Sequence, residues 1–351
     1  MSYTDIDDSS VHFQTTLYTG NGGTLAVTND GNSDLQPDWV WTKKRSDTSH
    51  HALVDSSRGA TKQIYTNLTA AEETVSGVTA FNTDGFTLGS NGTANLNGAT
   101  FVGWQWKANG GTTASNTTGS VTSTVQVNSD AGFSIVTFDS ASSGNFSVGH
   151  GLGVQPAMII TKNREGTGQW YTWHQHLTGG TSNTSYLLSL NRTDAEESFA
   201  NAWGAGVTSS VFGMQSGNTA TASNDYIAYC FAEKQGYSKF GKYVGNGNAN
   251  GAFVYTGFKP AVVILKNYAN GGYNWWIMDS KRNSYNPMIK YIFPNTTNAE
   301  ETLSALPMDF VSNGFKFRTN NTGINGNGHS YIFAAFAENP FVAGGVPTTA
   351  R

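Results

Sequence analysis

The chain has 351 residues, of which 38% are hydrophobic, 13% aromatic and only 13% charged, against about a quarter charged in an average globular protein. A net charge of −4 leaves no broad basic field for nucleic acid phosphates, and a single cysteine, Cys230, excludes an intramolecular disulfide framework. Aromatic and β-branched runs punctuated by Gly and Asn exclude disorder and point to an all-β protein.

The opening residues, Met1 to Asp8, are acidic and polar, so residues 1–10 read as an N-terminal arm without an export signal. No stretch approaches the roughly 18 apolar residues of a membrane span, and no membrane insertion is expected. From residue 11 the chain repeats itself. Trp39-Val40-Trp41-Thr42-Lys43, Met158-Ile159-Ile160-Thr161-Lys162 and Val262-Val263-Ile264-Leu265-Lys266 are apolar strands that follow a proline and end in lysine. Their prolines, Pro37, Pro156 and Pro260, stand 119 and 104 residues apart. A Thr-x-x-Glu-Glu landmark follows each, beginning at Thr69, Thr193 and Thr297, and a strand at Phe101, Tyr226 and Tyr331 closes each copy.

Three landmarks in one order predict three tandem β-sandwich modules, over 11–108, 132–235 and 236–341. Residues 109–131 read as a Gly/Ser/Thr linker, flexible or an edge strand, and 342–351 as a C-terminal tail. The second and third modules have no such spacer and are expected to pack together. Asn-Gly pairs at 91, 97, 246, 325 and 327 supply hairpin turns. The closing strands are apolar on both faces and so should lie inside their sheets. Thr69 with Glu72, Thr193 with Glu196 and Thr297 with Glu300 have capping-box spacing, which predicts a short helical turn in each module. Asn67, Asn191 and Asn295 match a glycosylation sequon and read as the lead-in to that box.

No Walker loop, dinucleotide fingerprint or nucleophile elbow occurs. His174 and His176 share a strand face, but a metal site needs further ligands; neither a metal nor a cofactor is expected. Asp55 with Arg58 and Asp279 with Arg282 match across the first and third copies and read as braced turns. Cys230 sits in an apolar run and reads as a buried thiol. The runs Trp170-Tyr171-Thr172-Trp173 and Tyr273-Asn274-Trp275-Trp276 place rings on both faces of a strand. One set must leave its own module's core, either to pack on a partner or to form a ligand platform. Tyr268, Tyr273, Trp275, Arg282 and Tyr285 are the candidate receptor or partner contacts.

The opening residues to Asp7, Tyr18-Thr19-Gly20-Asn21-Gly22, Asp55-Ser56-Ser57-Arg58-Gly59 and Trp104-Gln105-Trp106-Lys107-Ala108 carry a resemblance. The chain resembles tail fibre or appendage proteins of marine bacteriophages. Gly149-His150-Gly151-Leu152-Gly153-Val154-Gln155-Pro156 looks like that family's second module. The resemblance implies lectin-like modules of concanavalin or laminin-G jelly-roll type, and a place on the virion surface, on the tail rather than the capsid, after assembly in the host cytoplasm. It implies no catalytic residues. The expected role is host attachment without enzymatic activity. Other virion proteins and a host surface glycan or outer-membrane protein are the expected partners, and a homo-oligomer, a trimer by analogy, is the expected state. The alternatives are a capsid decoration, head fibre or tail-assembly protein and, last, a virion-associated polysaccharide depolymerase.

Overall fold

Antiparallel sheets supply nearly all the regular secondary structure of the computed structural model, which describes residues 3–302, 304, 308–343 and 346–347. The predicted tail at 342–351 falls largely outside the described residues. The sheets follow one another in facing pairs. Residues 13–106 form a six-stranded sheet against a three-stranded one, 114–231 an eight-stranded against a two-stranded one, and 238–340 a four-stranded against a three-stranded one.

The large sheets share one plan. The closing strands Thr100–Trp106, Asp225–Phe231 and Ser330–Pro340 lie between an opening strand and the proline-led strand. The register is common as well: Trp106, Phe231 and Phe336 stand opposite Trp39, Met158 and Val262. Equivalent positions in the three copies can therefore be named residue by residue.

Each large sheet is apolar on both faces because it has two cores to fill. One face closes on its small sheet: Val40 and Val54 on Phe86 and Leu88, Ile159 and Trp173 on Phe212 and Met214, Val263 and Trp276 on Phe315 and Phe317. The other faces meet in a common core, where Trp39, Trp41, Trp104 and Trp106 join Met158, Ile160, Tyr229 and Phe231, and Val262, Ile264 and Phe336. The alternation of strand side chains sends odd and even residues to different cores. The accessible surface is 12071 Å². Three separate bodies of one third the mass would expose about 18,500 Å² by surface–mass scaling, so the sheet pairs bury much of each other.

Three local expectations change. Of the two readings of residues 109–131, the edge strand holds and the flexible spacer does not: Ala114–Asn116 and Ser123–Asn128 extend the second large sheet, with Ala114–Asn116 at its edge. No helix forms at Thr69–Glu72, Thr193–Glu196 or Thr297–Glu300. The backbone N–H groups of Glu72, Glu196 and Glu300, which a capping box would satisfy locally, donate instead to Arg164, Tyr268 and Arg45 of the next sheet pair. Among the Asn-Gly pairs, Gly98, Gly247 and Gly328 have positive φ, whereas Asn91 caps the helix Gly92–Asn95.

Candidate functional site

The residues that repeat most faithfully meet at the seams between sheet pairs. Thr69 O of the first pair accepts from Gly168 N and Lys162 Nζ of the second. Thr193 O of the second accepts from Gly272 N and Lys266 Nζ of the third. Thr297 O of the third accepts from Ser49 N and Lys43 Nζ of the first. A ring nitrogen repeats the cycle: Trp170 Nε1 donates to Tyr65 O at 2.9 Å, Trp275 Nε1 to Ser189 O at 3.1 Å, and His51 Nε2 lies 3.1 Å from Phe293 O. First holds second, second holds third, and third holds first. The cycle is closed within one chain.

The sequon asparagines support this clasp. Asn67, Asn191 and Asn295 each accept, through Oδ1, the backbone N–H of the ring-bearing residue at 3.0 Å. With that N–H held, the ring of His51, Trp170 or Trp275 is aimed across the seam.

Two seams also carry a buried acid–base cluster. At the first, Glu72 bridges Arg58 of its own pair (2.8 Å) and Arg164 of the next (3.1 Å), while Tyr229 OH donates to Asp55 at 2.7 Å. At the third–first seam Glu300 bridges Arg45 (2.8 Å) and Arg282 (3.5 Å), while Trp104 Nε1 donates to Asp279 at 3.0 Å. Burial alone would raise the Glu72 and Glu300 carboxyls; the facing arginines more than offset it and hold both below the usual carboxylate range. The expected Asp–Arg bracing of the 55–58 and 279–282 turns is present, with both partners fully buried.

The second–third seam has exchanged the whole cluster. His174 stands where Asp55 and Asp279 stand, Leu177 replaces the arginine, Ala334 replaces the Tyr229 or Trp104 donor, and Tyr268 replaces Arg164 or Arg45. A buried charge that loses its partner costs several kcal/mol, about 3–5, so such exchanges must come together. His174 Nε2 lies 3.2 Å from Phe333 O of the third pair, and burial, with the His176 charge, pushes its pKa down to about 3. Glu196 keeps its backbone bond to Tyr268 O and turns its carboxylate to Thr178.

The five candidate contact residues do not share a face. Trp275 and Arg282 are interior, one in the common core and the other over the Trp104 ring at 5.7 Å. Tyr268 is half-buried against the common core, and Tyr273 packs edge-on to His329. Tyr285 alone projects, at 78% exposure. All nine tryptophans are buried. The rings that leave their own sandwich pack on the neighbouring sheet pair of the same chain, a destination that strand alternation could not specify. The exposed aromatic face lies elsewhere: Phe253 and Tyr255 project from the edge strand Phe253–Tyr255 of the third small sheet. The comparable residues Ala26 and Ser147 are small, and that contrast was the signal available in sequence.

Cys230 is buried, and burial pushes its thiol pKa up. Among the described residues no three His, Cys, Asp or Glu side chains are grouped to hold a metal, and no helix is long and apolar enough to cross a membrane. Neither the curated proteins nor the solved structures contain a match to the chain. Residues 8–340, spanning all three repeats, match the family model described as Domain of unknown function (DUF7483), and the chain belongs to that family.

Proposed function

We propose that the chain is a non-enzymatic surface component of a bacteriophage particle, of the tail fibre or appendage type, that contacts the host cell. The observation that carries the reading is where the repeated residues are used. Thr69, Thr193 and Thr297, the clasp lysines and the buried tryptophans all serve the seams or cores. Apart from the exchanged cluster at the second–third seam, the bulky aromatic residues peculiar to one repeat lie on the outside, at Phe253, Tyr255 and Tyr285. A rigid interior with a divergent outer surface suits recognition. The resemblance of the opening residues and of the first repeat to phage appendage proteins supports the particle. Three similar lobes in one chain also suit a three-fold site on a particle, which favours capsid decoration or tail assembly as the second reading.

Gold-labelled antibody against the recombinant chain, imaged on intact particles, tests the proposal. Gold at the distal tail is the expected result. Gold over the capsid or collar would transfer the protein to the second reading, and particles without gold would overturn both.

A further inference from the structure

At the third–first seam the sheet pairs leave an open cleft of about 420 Å³, within the roughly 300–1,000 Å³ of small-molecule sites. A comparison of equivalent positions explains the opening. Thr15, opposite Trp104, corresponds to Ile135, opposite Tyr229, and to Phe240, opposite Ala334. Ile135 and Phe240 belong to the common core and fill their seams. Thr15 is too short to do so; it lines the cleft, and its hydroxyl is buried without a hydrogen-bond partner. An unpaired buried hydroxyl costs stability, and a turn of this side chain would offer it to a group that enters the cleft.

The walls indicate the chemistry of that group. Gln14 holds the loop that forms one wall: its Oε1 accepts from Gly31 N at 2.9 Å, and its Nε2 donates to Ser33 O at 2.7 Å and Ser10 O at 3.0 Å. A side chain at Gly31 would collide with that amide at 2.5 Å, so the loop is preorganised. Asp30 on this loop meets Lys281 of the opposite wall at 2.7 Å, and Glu338 is paired with Lys259. With both signs paired, the cleft offers no net field for a strongly charged ligand. It offers hydroxyl and amide groups that donate and accept, over an apolar floor of Phe13, Ala261 and Ala337. Alcohols match donor-and-acceptor walls, and the C–H face of a sugar ring matches such a floor. Ser284 lines the cleft, and the exposed Tyr285 follows it in the chain.

We propose that this cleft binds a neutral hexose unit, with the Thr15 hydroxyl bonded to a sugar hydroxyl and the Asp30–Lys281 pair closing over the ring. The inference rests on the host-contact reading only for the source of the sugar, a surface glycan. Gold labelling tests that reading without sugar and a titration tests the cleft without particles, so either can fail alone.

The test is saturation-transfer NMR and calorimetric titration of the full chain with glucose, galactose, mannose and N-acetylglucosamine, and with inorganic phosphate as the charged control. At least one sugar binds and phosphate does not. Thr15→Ile, which installs the second repeat's residue, weakens binding about tenfold or more, the scale of one lost ligand hydrogen bond in a desolvated site, while the melting temperature holds or rises. Asp30→Ala, on the exposed loop, weakens binding as well and serves if Thr15→Ile does not fold. No binding by any of the four sugars, displacement of sugar by phosphate, or wild-type affinity in the folded variants would overturn the proposal.

Discussion

Lys43, Lys162 and Lys266 are fully buried, and each ammonium position has two carbonyl partners and no carboxylate. Two acceptors are what a neutral amine, with its two N–H donors, can satisfy. Desolvation pushes the three lysines down to about 8, about 8 and about 7 respectively, from 10.5. The sign follows from proton counting. Between these values and 10.5 the unfolded chain binds more protons than the folded one, so stability rises with pH across that window and is lowest, for these groups, below it. Across the window each lysine's shift corresponds to about 3–5 kcal/mol. Denaturant midpoints should therefore climb from pH 7 to pH 9.5. The rise should be shallower in Lys266→Met, whatever that variant's absolute stability. A flat or falling profile in the wild type would mean that the amines stay charged in the folded protein.

At the scale of elements, the recurrence of the Thr-x-x-Glu segments was legible in sequence but their partners were not. Capping-box spacing is a local signal, whereas the Glu72 N–H finds its acceptor on Arg164, in a different repeat. Likewise, the aromatic runs at 170–173 and 273–276 showed that one set of rings must leave its own core, for a partner or a ligand platform, without naming the second surface. The Asp–Arg turns were readable because both partners lie within three residues. The exchange at the second–third seam could be recognised only once register aligned His174 with Asp55 and Ala334 with Trp104. It makes a prediction about coupling. Arg282→Leu alone strands Asp279, while Glu300 keeps its pairing with Arg45, and should cost about 3–5 kcal/mol. Adding Asp279→His, as in the second repeat, removes the stranded charge, so the double variant should be more stable than the sum of the single effects by about 0.5–3 kcal/mol. Urea denaturation of the four proteins measures this. Additive effects would show that the two positions do not act as one cluster.

For the whole molecule, the decisive feature is that the first and third sheet pairs clasp each other across more than two hundred residues of chain, through Lys43 and Thr297 and through Arg45 and Glu300. A linear string of sandwiches would bury two seams; this chain buries three, and the third makes a core common to all pairs. The sheet faces that a homotrimer of single sandwiches would use are already occupied, so any oligomer must form through outer surfaces. Removing one sheet pair would expose Trp41 and Trp104, or Tyr229 and Phe231, or Ile264 and Phe336, together with the backbone acceptors of two seams. No sheet pair should then survive alone, and unfolding should be a single event. Scanning calorimetry checks this through the ratio of calorimetric to van 't Hoff enthalpy, which is about one for a single cooperative unit and about three for three equal independent ones. A ratio near one, at a scan rate where unfolding is reversible, is the expected outcome. A ratio near three, or a folded monomeric fragment spanning 11–108, would mean that the seams form between bodies already stable by themselves. The clasp would then join the lobes without being what lets them fold.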